Sequence, residues 1–402
     1  MEDSIERDDQ GQSQQGSGYI SARDSRRITR ENRRATNALE KRYKRKNVPE
    51  SEYITQMRDP ANIVEFDNLH TYFFTDIGTV KAVNGVTFDV PQGGTVGVVG
   101  ESGCGKSVTS LSLMQLLQRP QGQITSGSIR LNCGADAGFK TRDDVRGRAI
   151  DAANAPQYVM EAVRGKVVSM IFQEPMTSLN PVMRIGDQID EVTAQHQPGT
   201  DKAAMKRRSL EMIEMVGIAN GERVYKMYPH ELSGGMRQRA MIAMALACDP
   251  RLIIADEPTT ALDVTIQAQI LDLLRGLKDR LSSAIMLITH DLGVIAEMAD
   301  FVVVMYAGKV VEKGTTKDVF LNPAHPYTMG LMASKPVIGR EVDRLYSIPG
   351  SVPNPINMPD YCYFRDRCPN SRKECLGLYP PEIALNATHF AACYRAKEGA
   401  KA

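Results

Sequence analysis

The chain lacks tryptophan, has only six histidines, and has no apolar run long enough to cross a bilayer. A membrane-spanning helix needs about 20 mostly apolar residues, whereas apolar runs such as Phe301–Tyr306 have the length of a strand. The acidic, polar start MEDSIERDDQ does not resemble a secretory signal. A net charge of +1 gives no general field for binding nucleic acid. We therefore expect a cytoplasmic protein that reaches any membrane through a partner.

The first 60 residues differ in composition from the rest. Met1–Tyr19 is acidic and then rich in Gln, Gly and Ser, which predicts disorder. Residues 21–46 carry eleven Arg or Lys residues against three acidic ones. This basic stretch is either a charged tail without fixed structure or a solvated helix that binds a partner subunit or anionic lipid headgroups.

From residue 61 the pattern predicts an α/β fold. Short β-branched runs alternate with helical segments such as Val108–Gln118 and Gln267–Leu281, and this alternation is typical of a mostly parallel sheet. The segment from about residue 176 to residue 231 lacks such runs and is predicted to be helical. Beyond residue 321 the chain is Pro-rich and irregular. We therefore predict three parts: an extension (1–60), an α/β domain (61–321) and a C-terminal region (322–402).

A glycine-rich loop follows the strand-like run TVGVVG and opens a helix. The segment from Gly100 to Ser107 fits the pattern G-x-x-x-x-G-K-[ST], whose backbone N–H groups and helix N-terminus bind phosphates. Lys106 is expected to contact the β- and γ-phosphates of a nucleotide, and Ser107 to bind Mg²⁺. The predicted nucleotide contacts are Gly100, Glu101, Ser102, Gly103, Cys104, Gly105, Lys106, Ser107 and Val108.

Two further patterns complete a predicted nucleotide site. The apolar run LIIAD ends in Asp256, assigned to the metal, and is followed by Glu257, assigned to polarising the attacking water. Ser233, Gly234 and Gly235 open a second helix. One nucleotide cannot use both helix termini of one subunit unless they lie close together, so a head-to-tail pair of subunits is predicted.

These patterns together resemble the ATPases of ABC transporters. LSGGMRQR resembles the signature, and the phosphate loop and LIIADEP resemble Walker A and Walker B. Gln173 in IFQEP matches the Q-loop, residues 261–263 (Ala-Leu-Asp) match the D-loop, and His290 in LITHD matches the switch histidine. No aromatic residue stands where the family stacks adenine, near Ile77; Tyr72, Phe73 and Phe74 are displaced from it.

The resemblance implies a fold, a chemistry and a set of site residues. The fold is a P-loop NTPase core, RecA-like, with an inserted helical subdomain at about 176–231. ATP and Mg²⁺ are the implied ligands, bound at the interface of two cassettes. The implied catalytic residues are Glu257, His290 and Gln173; the implied Mg²⁺ ligands are Ser107, Gln173 and Asp256; the implied contacts to the partner's nucleotide are Ser233, Gly234, Gly235 and Asp263.

Longer stretches resemble one branch of the family, the ATPases of bacterial oligopeptide and dipeptide importers. These stretches are residues 173–181 (QEPMTSLNP), DEPTTALDVTIQAQI, ITHDLGVIAEMAD and residues 325–328 (HPYT). The branch implies a peripheral protein on the cytoplasmic face of the inner membrane, with a second ATPase as heterodimer partner, two membrane permease subunits and, indirectly, a substrate-binding protein. Oligosaccharide or nickel cargo and a soluble, non-transport ABC ATPase stay as alternatives. Residues 133–164 are predicted to contain an insertion.

Four of the seven cysteines, Cys362, Cys368, Cys375 and Cys393, fall within the last 41 residues. In a reducing compartment such a cluster indicates metal before disulfides, and four thiolates suit either Zn²⁺ or an iron–sulfur cluster. Some members of the resembling branch carry this pattern as a [4Fe–4S] site, which implies that cofactor here, with Zn²⁺ or unliganded thiols as alternatives. Because the cysteines follow the α/β domain in chain order, we expect them to lie away from the phosphate loop, with no direct role in hydrolysis.

Overall fold

The computed structural model describes residues 21–134, 148–260, 263–334 and 346–396. The described strands are β1 Ile54–Thr55, β2 Asn62–Thr75, β3 Gly78–Pro91, β4 Thr95–Val99, β5 Gly122–Asn132, β6 Ala149–Asp151, β7 Val168–Ile171, β8 Leu252–Asp256, β9 Ala284–Thr289, β10 Phe301–Tyr306, β11 Lys309–Thr315, β12 Ile383–Ala384 and β13 Phe390–Ala391.

The described α-helices are α1 Ala22–Tyr43, α2 Lys106–Leu113, α3 Gln157–Val163, α4 Pro175–Ser178, α5 Ile185–His196, α6 Lys202–Met215, α7 Gly221–Tyr225, α8 Gly234–Leu246, α9 Val264–Leu281, α10 Leu292–Met298, α11 Thr316–Leu321 and α12 Pro326–Ala333. Within the part of the chain that the structure describes, no helix is both long and apolar enough to cross a bilayer.

The larger sheet carries the parallel strands that the sequence predicts. Its order is β12-β13-β11-β10-β4-β9-β8-β7, and the block β10-β4-β9-β8-β7 is parallel. Strands β4, β8 and β9 are buried along their whole length, as expected of parallel strands covered on both faces. The carboxyl ends of parallel strands share one edge of a sheet, so this topology brings the segments that follow β4, β7, β8 and β9 together.

The smaller sheet is antiparallel, in the order β1-β6-β5-β2-β3. It is formed mainly by the β2–β3 hairpin and β5, and a second hydrophobic cluster fills the space between this sheet and one face of the larger sheet. Residues 176–231, predicted to be helical, contain α5, α6 and α7. Part of the predicted insertion, residues 135–147, lies outside the described residues.

The basic stretch of the N-terminal extension forms α1, and one side of this helix packs on the small sheet. Asn32 Nδ2 donates to Thr75 O (2.6 Å), and Thr36 is buried. Near the C-terminal end of α1, Glu40 accepts from Gln123 Nε2 (2.7 Å) and pairs with Arg119 (3.2 Å). These contacts favour the helical alternative over a tail without structure for residues 22–43; residues 1–20 lie outside the described residues.

The C-terminal region continues the larger sheet instead of forming a separate appendage. Strand β13 pairs with β11, and β12 pairs with β13. Tyr363 and Phe364 are buried in the hydrophobic cluster that also holds the helical subdomain and one face of the larger sheet. The aromatic residues of this Pro-rich region therefore pack into the core of the α/β domain.

Candidate nucleotide-binding site

The phosphate loop connects the end of β4 to the start of α2. Gly105 precedes α2 with φ 101°, and a Cβ at this position would lie 2.2 Å from Ala82 O. Gly100 has φ 154°, and its Cβ would lie 2.2 Å from Met305 O. Both glycines are therefore required, because a side chain at either position would collide with the backbone of a neighbouring strand or loop.

Lys106 is 5% exposed and lies within the loop. Its Nζ donates to Gly100 O (2.7 Å) and Glu101 O (3.1 Å). Beside it, burial raises the pKa of the Cys104 thiol, so that this cysteine stays protonated and unreactive. The ammonium group of Lys106 is thus held by backbone carbonyls at the centre of the loop, where bound phosphates would lie.

Ser107 and Asp256 meet although they are 149 residues apart in the chain. The Ser107 hydroxyl donates to Asp256 Oδ1 at 2.9 Å. Burial, reinforced by the nearby charge of Glu257, raises the pKa of Asp256, whereas the hydrogen bond from Ser107 lowers it. A hydroxyl and a carboxylate side by side form the hard oxygen set that Mg²⁺ prefers, so these two residues fit the predicted metal.

Glu257 follows β8 directly, and three side chains surround its carboxylate. Thr260 Oγ1 donates to Glu257 Oε2 at 2.8 Å, His290 Nδ1 lies 3.3 Å from the same oxygen, and Gln173 Nε2 lies 3.5 Å from it. Sequence analysis missed Thr260, although its place three residues after the predicted base was a usable signal. The arrangement holds one carboxylate among donors from three loops at the edge of the sheet.

Most of these groups line one cleft of about 580 Å³, although Gly100, Glu101, Asp256 and Thr260 are not among its described lining residues. The volume is typical of small-ligand sites. Its lining residues are Ala82, Ser102, Gly103, Cys104, Gly105, Lys106, Ser107, Val108, Gln173, Glu257 and His290. None of the described lining residues is Phe or Tyr. Tyr72 donates to Asn84 Oδ1 (3.0 Å), and the Phe73 ring lies against Gly122. Among the described residues, no Phe or Tyr side chain therefore lines this cleft to contact adenine.

The signature residues lie at a second cleft. Ser233 caps α8, and its Oγ accepts from Met236 N at 3.3 Å. Asp263 caps α9 by accepting from Ile266 N at 3.0 Å. Ser233, Gly234, Gly235 and Asp263 line this second cleft together, and none of the described residues lines both clefts. Residues 261 and 262 of the predicted D-loop lie outside the described residues.

The C-terminal region contacts the phosphate loop directly. The Arg367 guanidinium donates to both carboxylate oxygens of Glu101, at 2.7 and 3.0 Å. The Glu101 N–H donates to the hydroxyl of Tyr327 at 2.8 Å. The expectation that the cysteine-bearing region lies away from the loop is therefore wrong. No sequence signal indicated this contact, because 266 residues separate Arg367 from Glu101.

The four C-terminal cysteines line one small cavity. Burial raises the pKa of Cys362 to about 12 and also raises the pKa of Cys368 and Cys393. Cys362 N donates to Cys375 O at 3.3 Å, which ties two of the four positions together. In residues 21–134, 148–260, 263–334 and 346–396, no group of three or more His, Cys, Asp or Glu side chains is arranged to hold a metal ion.

Comparison with known proteins identifies the family of the chain. A family model described as "ABC transporter" matches residues 83–260, and one described as "Oligopeptide/dipeptide transporter, C-terminal region" matches residues 311–375. A dimeric ATP-binding cassette solved in a post-hydrolysis state with ADP and Pi matches 63% of the chain with a TM-score of 0.54. At 22% sequence identity, that structure supports the fold alone.

Curated relatives match far more of the chain. The oligopeptide transport ATP-binding protein AppD of Bacillus subtilis is 48% identical, over 84% of this chain and 98% of its own length. The oligopeptide transport ATP-binding protein OppD of Salmonella typhimurium is 45% identical, over 87% of this chain and 98% of its own length. The chain therefore belongs to the family of ABC transporter ATP-binding proteins that includes the oligopeptide and dipeptide transport ATPases.

Proposed function

We propose that this chain hydrolyses ATP to drive the import of di- and oligopeptides through a membrane complex. The similarity to oligopeptide transport ATP-binding proteins along nearly their whole length supports the cargo class. The placement of the Glu257 carboxylate in the phosphate-loop cleft supports hydrolysis and is the observation on which the proposal rests. The proposed division into residues 1–60, 61–321 and 322–402 follows the same assignment.

In the proposed reaction, Glu257 accepts hydrogen-bonding from the attacking water and polarises it towards the γ-phosphate. Gln173 and His290, which surround the same carboxylate, orient the water and contact the γ-phosphate. Lys106 neutralises phosphate charge at the centre of the loop. Mg²⁺, when bound by the oxygens of Ser107 and Asp256, would offset the charge that develops on the phosphates.

Replacing Glu257 with Gln tests this assignment. We expect E257Q to bind Mg-ATP and to lose nearly all hydrolysis, because the amide keeps the shape of the side chain but polarises water poorly. The matched control is E297Q, which alters an exposed carboxylate paired with Arg275. Phosphate release and nucleotide binding are measured for both variants. Wild-type turnover in E257Q would contradict the proposal.

The two separate clefts support a dimer in which each ATP lies between the phosphate loop of one subunit and the signature of the other. In the proposed heterodimer, Ser233, Gly234, Gly235 and Asp263 contact the partner's nucleotide. A signature variant such as S233A, assembled with a wild-type partner ATPase, should disable one site and spare the other in single-turnover assays. Equal loss at both sites, whichever subunit carries the change, would contradict this pairing.

The proposed assembly also includes two permease subunits and a substrate-binding protein, with this chain bound peripherally at the cytoplasmic face of the membrane. Exposed Met176 and Val182 beside the Q-loop give the permeases an apolar surface. The cargo is tested by co-purification with a binding protein and by competition of peptides, oligosaccharides and Ni²⁺ for that protein. If the binding protein binds sugars or nickel and no peptides, the cargo assignment is wrong, whereas the proposed ATPase role is unaffected.

We further propose that Cys362, Cys368, Cys375 and Cys393 hold a [4Fe–4S] cluster. Their shared cavity supports convergence on one group. A single Zn²⁺ needs its sulfurs within about 4 Å of one another, since Zn–S bonds are about 2.3 Å. The described side chains show no arrangement ready for one metal ion, so the proposal depends on the four thiols sharing one cavity and on thiolates being the ligands that iron–sulfur clusters use. When bound, the cluster would crosslink the irregular C-terminal segment.

Iron and zinc analysis of anaerobically purified protein tests the cluster. We expect about four irons per chain and a broad visible absorbance that C368S abolishes. The matched control is C133S, since Cys133 is a buried cysteine outside the cavity. One zinc per chain without iron would show a zinc site in place of the cluster. Absence of both metals from the wild type and from C133S would rule out the cluster and the zinc site.

A further inference from the structure

Arg367 connects the cysteine-bearing segment to the phosphate loop. Its side chain is 6% exposed, and its guanidinium binds the Glu101 carboxylate through two parallel hydrogen bonds of 2.7 and 3.0 Å. Its Nε also donates to Pro349 O at 3.0 Å. A bidentate pair of this kind fixes both partners in orientation as well as in distance.

Aromatic side chains surround the Arg367 side of this ion pair, whereas the Glu101 side chain is 30% exposed. Tyr306 ends β10, Tyr327 lies in the first turn of α12, and Phe364 lies three residues before Arg367; the three rings contact one another with centroids 4.6 to 5.4 Å apart. All three are almost fully buried. In such surroundings a charged group interacts more strongly with its neighbours than it would in water, so the state of this pair affects the loop beside it.

The negative charge of Glu101 is unfavourable in a loop that binds phosphates. It is the second residue of the loop, and its own carbonyl accepts a hydrogen bond from Lys106 Nζ at 3.1 Å. An uncompensated carboxylate at this position would repel the phosphates that the loop and Lys106 attract. Arg367 cancels that charge from outside the loop, and no other basic side chain in the described part of the chain pairs with Glu101.

We propose that Arg367 is a positioning residue that sets the nucleotide affinity of the phosphate loop by neutralising Glu101, and that it thereby couples nucleotide binding to the segment from Cys362 to Cys368. The proposal rests on nucleotide binding at this loop. It goes beyond the proposed function because it gives the C-terminal region a role in the ATP site of its own subunit.

The local backbone explains how the coupling reaches the cysteines. Arg367 N donates to Phe364 O (3.0 Å), and Cys368 N donates to Arg365 O (3.3 Å). The segment between the two cysteines is therefore a series of tight turns that carries Arg367. A change that loosens these turns displaces the guanidinium from Glu101. By thermodynamic reciprocity, nucleotide binding must then stabilise the same turns.

The first test is a set of charge variants of the full-length protein, measured by Mg-ADP titration. R367Q should bind about tenfold more weakly, because Glu101 is left uncompensated. E101Q leaves Arg367 as the unpaired charge and should bind up to about threefold more tightly. In R367Q/E101Q most of the loss caused by R367Q should disappear. R367K, which keeps the charge without the two-pronged geometry, should fall between wild type and R367Q.

The control is R365Q, which alters the neighbouring arginine that stacks on Tyr361 and does not contact the loop. Equal affinity of R367Q and R365Q would overturn the proposal. A double variant as weak as R367Q alone would also overturn it, because the effect would then come from lost packing and not from charge. If R367Q does not fold, R367K and E101Q still test the proposal, because R367K must bind Mg-ADP more weakly than the wild type and E101Q must bind it more tightly.

The second test measures hydrogen exchange of the amides of residues 362–368 with and without Mg-ADP. Nucleotide should slow exchange in the wild type and have little effect in R367K/E101Q, where the ion pair is absent. An equal effect of nucleotide in both proteins would overturn the coupling. Absence of Mg-ADP binding to the wild type would instead refute the proposed function, so the two failures are distinguishable.

Discussion

Glu312 offers the sharpest test of how the C-terminal region is held. The Glu312 side chain is fully buried on β11 and accepts three hydrogen bonds: from Ala324 N (2.8 Å), from His325 N (2.9 Å) and from His389 Nε2 (2.8 Å). One carboxylate thus joins β11, the start of α12 and the residue before β13. We predict that replacing it with Ala releases these three segments from one another.

The expected loss of unfolding free energy follows from the number of buried donors that lose their acceptor. A buried donor left without a partner costs about 1–3 kcal/mol, and three donors lose their acceptor in E312A. Water entering the space left by E312A can satisfy some donors, so we expect a loss of about 4 kcal/mol. E312Q keeps one carbonyl oxygen and should cost about 2 kcal/mol. E382Q, which alters an exposed carboxylate paired with Lys313, is the control and should cost under about 0.5 kcal/mol.

Unfolding of a chain with several cooperative parts is not a single two-state event. The assay is therefore urea unfolding followed by hydrogen exchange at residues 324–325 and 389–391 together with a probe in β4. We expect the C-terminal amides of E312A to open at lower urea than those in β4. An opening free energy of these C-terminal amides in E312A within about 1 kcal/mol of that in the wild type would refute the role given to this carboxylate.

Three further predictions concern His325, the docking of α1 and the phosphate loop. Burial lowers the pKa of His325 to about 4, so the stability that depends on its neutral form is fully present above about pH 6.5. This contribution falls as the pH drops towards 4, by about 1.4 kcal/mol per pH unit. Urea titrations at pH 7 and pH 5 should show a loss of unfolding free energy that H325N lacks. E40A removes the carboxylate that pairs with Arg119 and should accelerate proteolysis within α1 while leaving ATPase activity of the cassette intact. G105A should abolish nucleotide binding, because its Cβ would meet Ala82 O at 2.2 Å.

The parts of the site that the sequence predicts well are those in which neighbouring residues in the chain perform one task. The phosphate loop is contiguous, and its glycines, Lys106 and Ser107 follow from the chemistry of one anion. The meeting of Ser107 with Asp256 also follows from sequence, because the loop that carries Ser107 follows one predicted parallel strand and Asp256 ends another. Parallel strands leave little choice about the edge at which such residues gather.

Contacts between segments distant in the chain could not be predicted in this way. In the sequence, Arg367 has no feature that distinguishes it from the nearby Arg365, and its partner lies 266 residues away. The docking of α1 depends on Asn32 and Glu40, polar residues that hydrophobic periodicity does not identify as part of a packed face. Such polar contacts depend on which surfaces the fold brings together, and this information is absent from local sequence patterns.

Glu257 shows where function and local backbone preference conflict. Its φ is +47°, in the left-handed region that costs an ordinary L-residue roughly 1 kcal/mol. Glycine or asparagine would adopt this conformation more easily. The conformation is held by the hydrogen bond from Glu257 N to Ile288 O (2.8 Å) and by the bond from Thr260 to the carboxylate. The chain therefore places a carboxylate where the backbone favours a smaller residue, and neighbouring strands hold it there. A strained position of this kind, at the end of a buried strand and facing the phosphate loop, indicates that the chemistry of the side chain and not the stability of the turn determines the residue at this position.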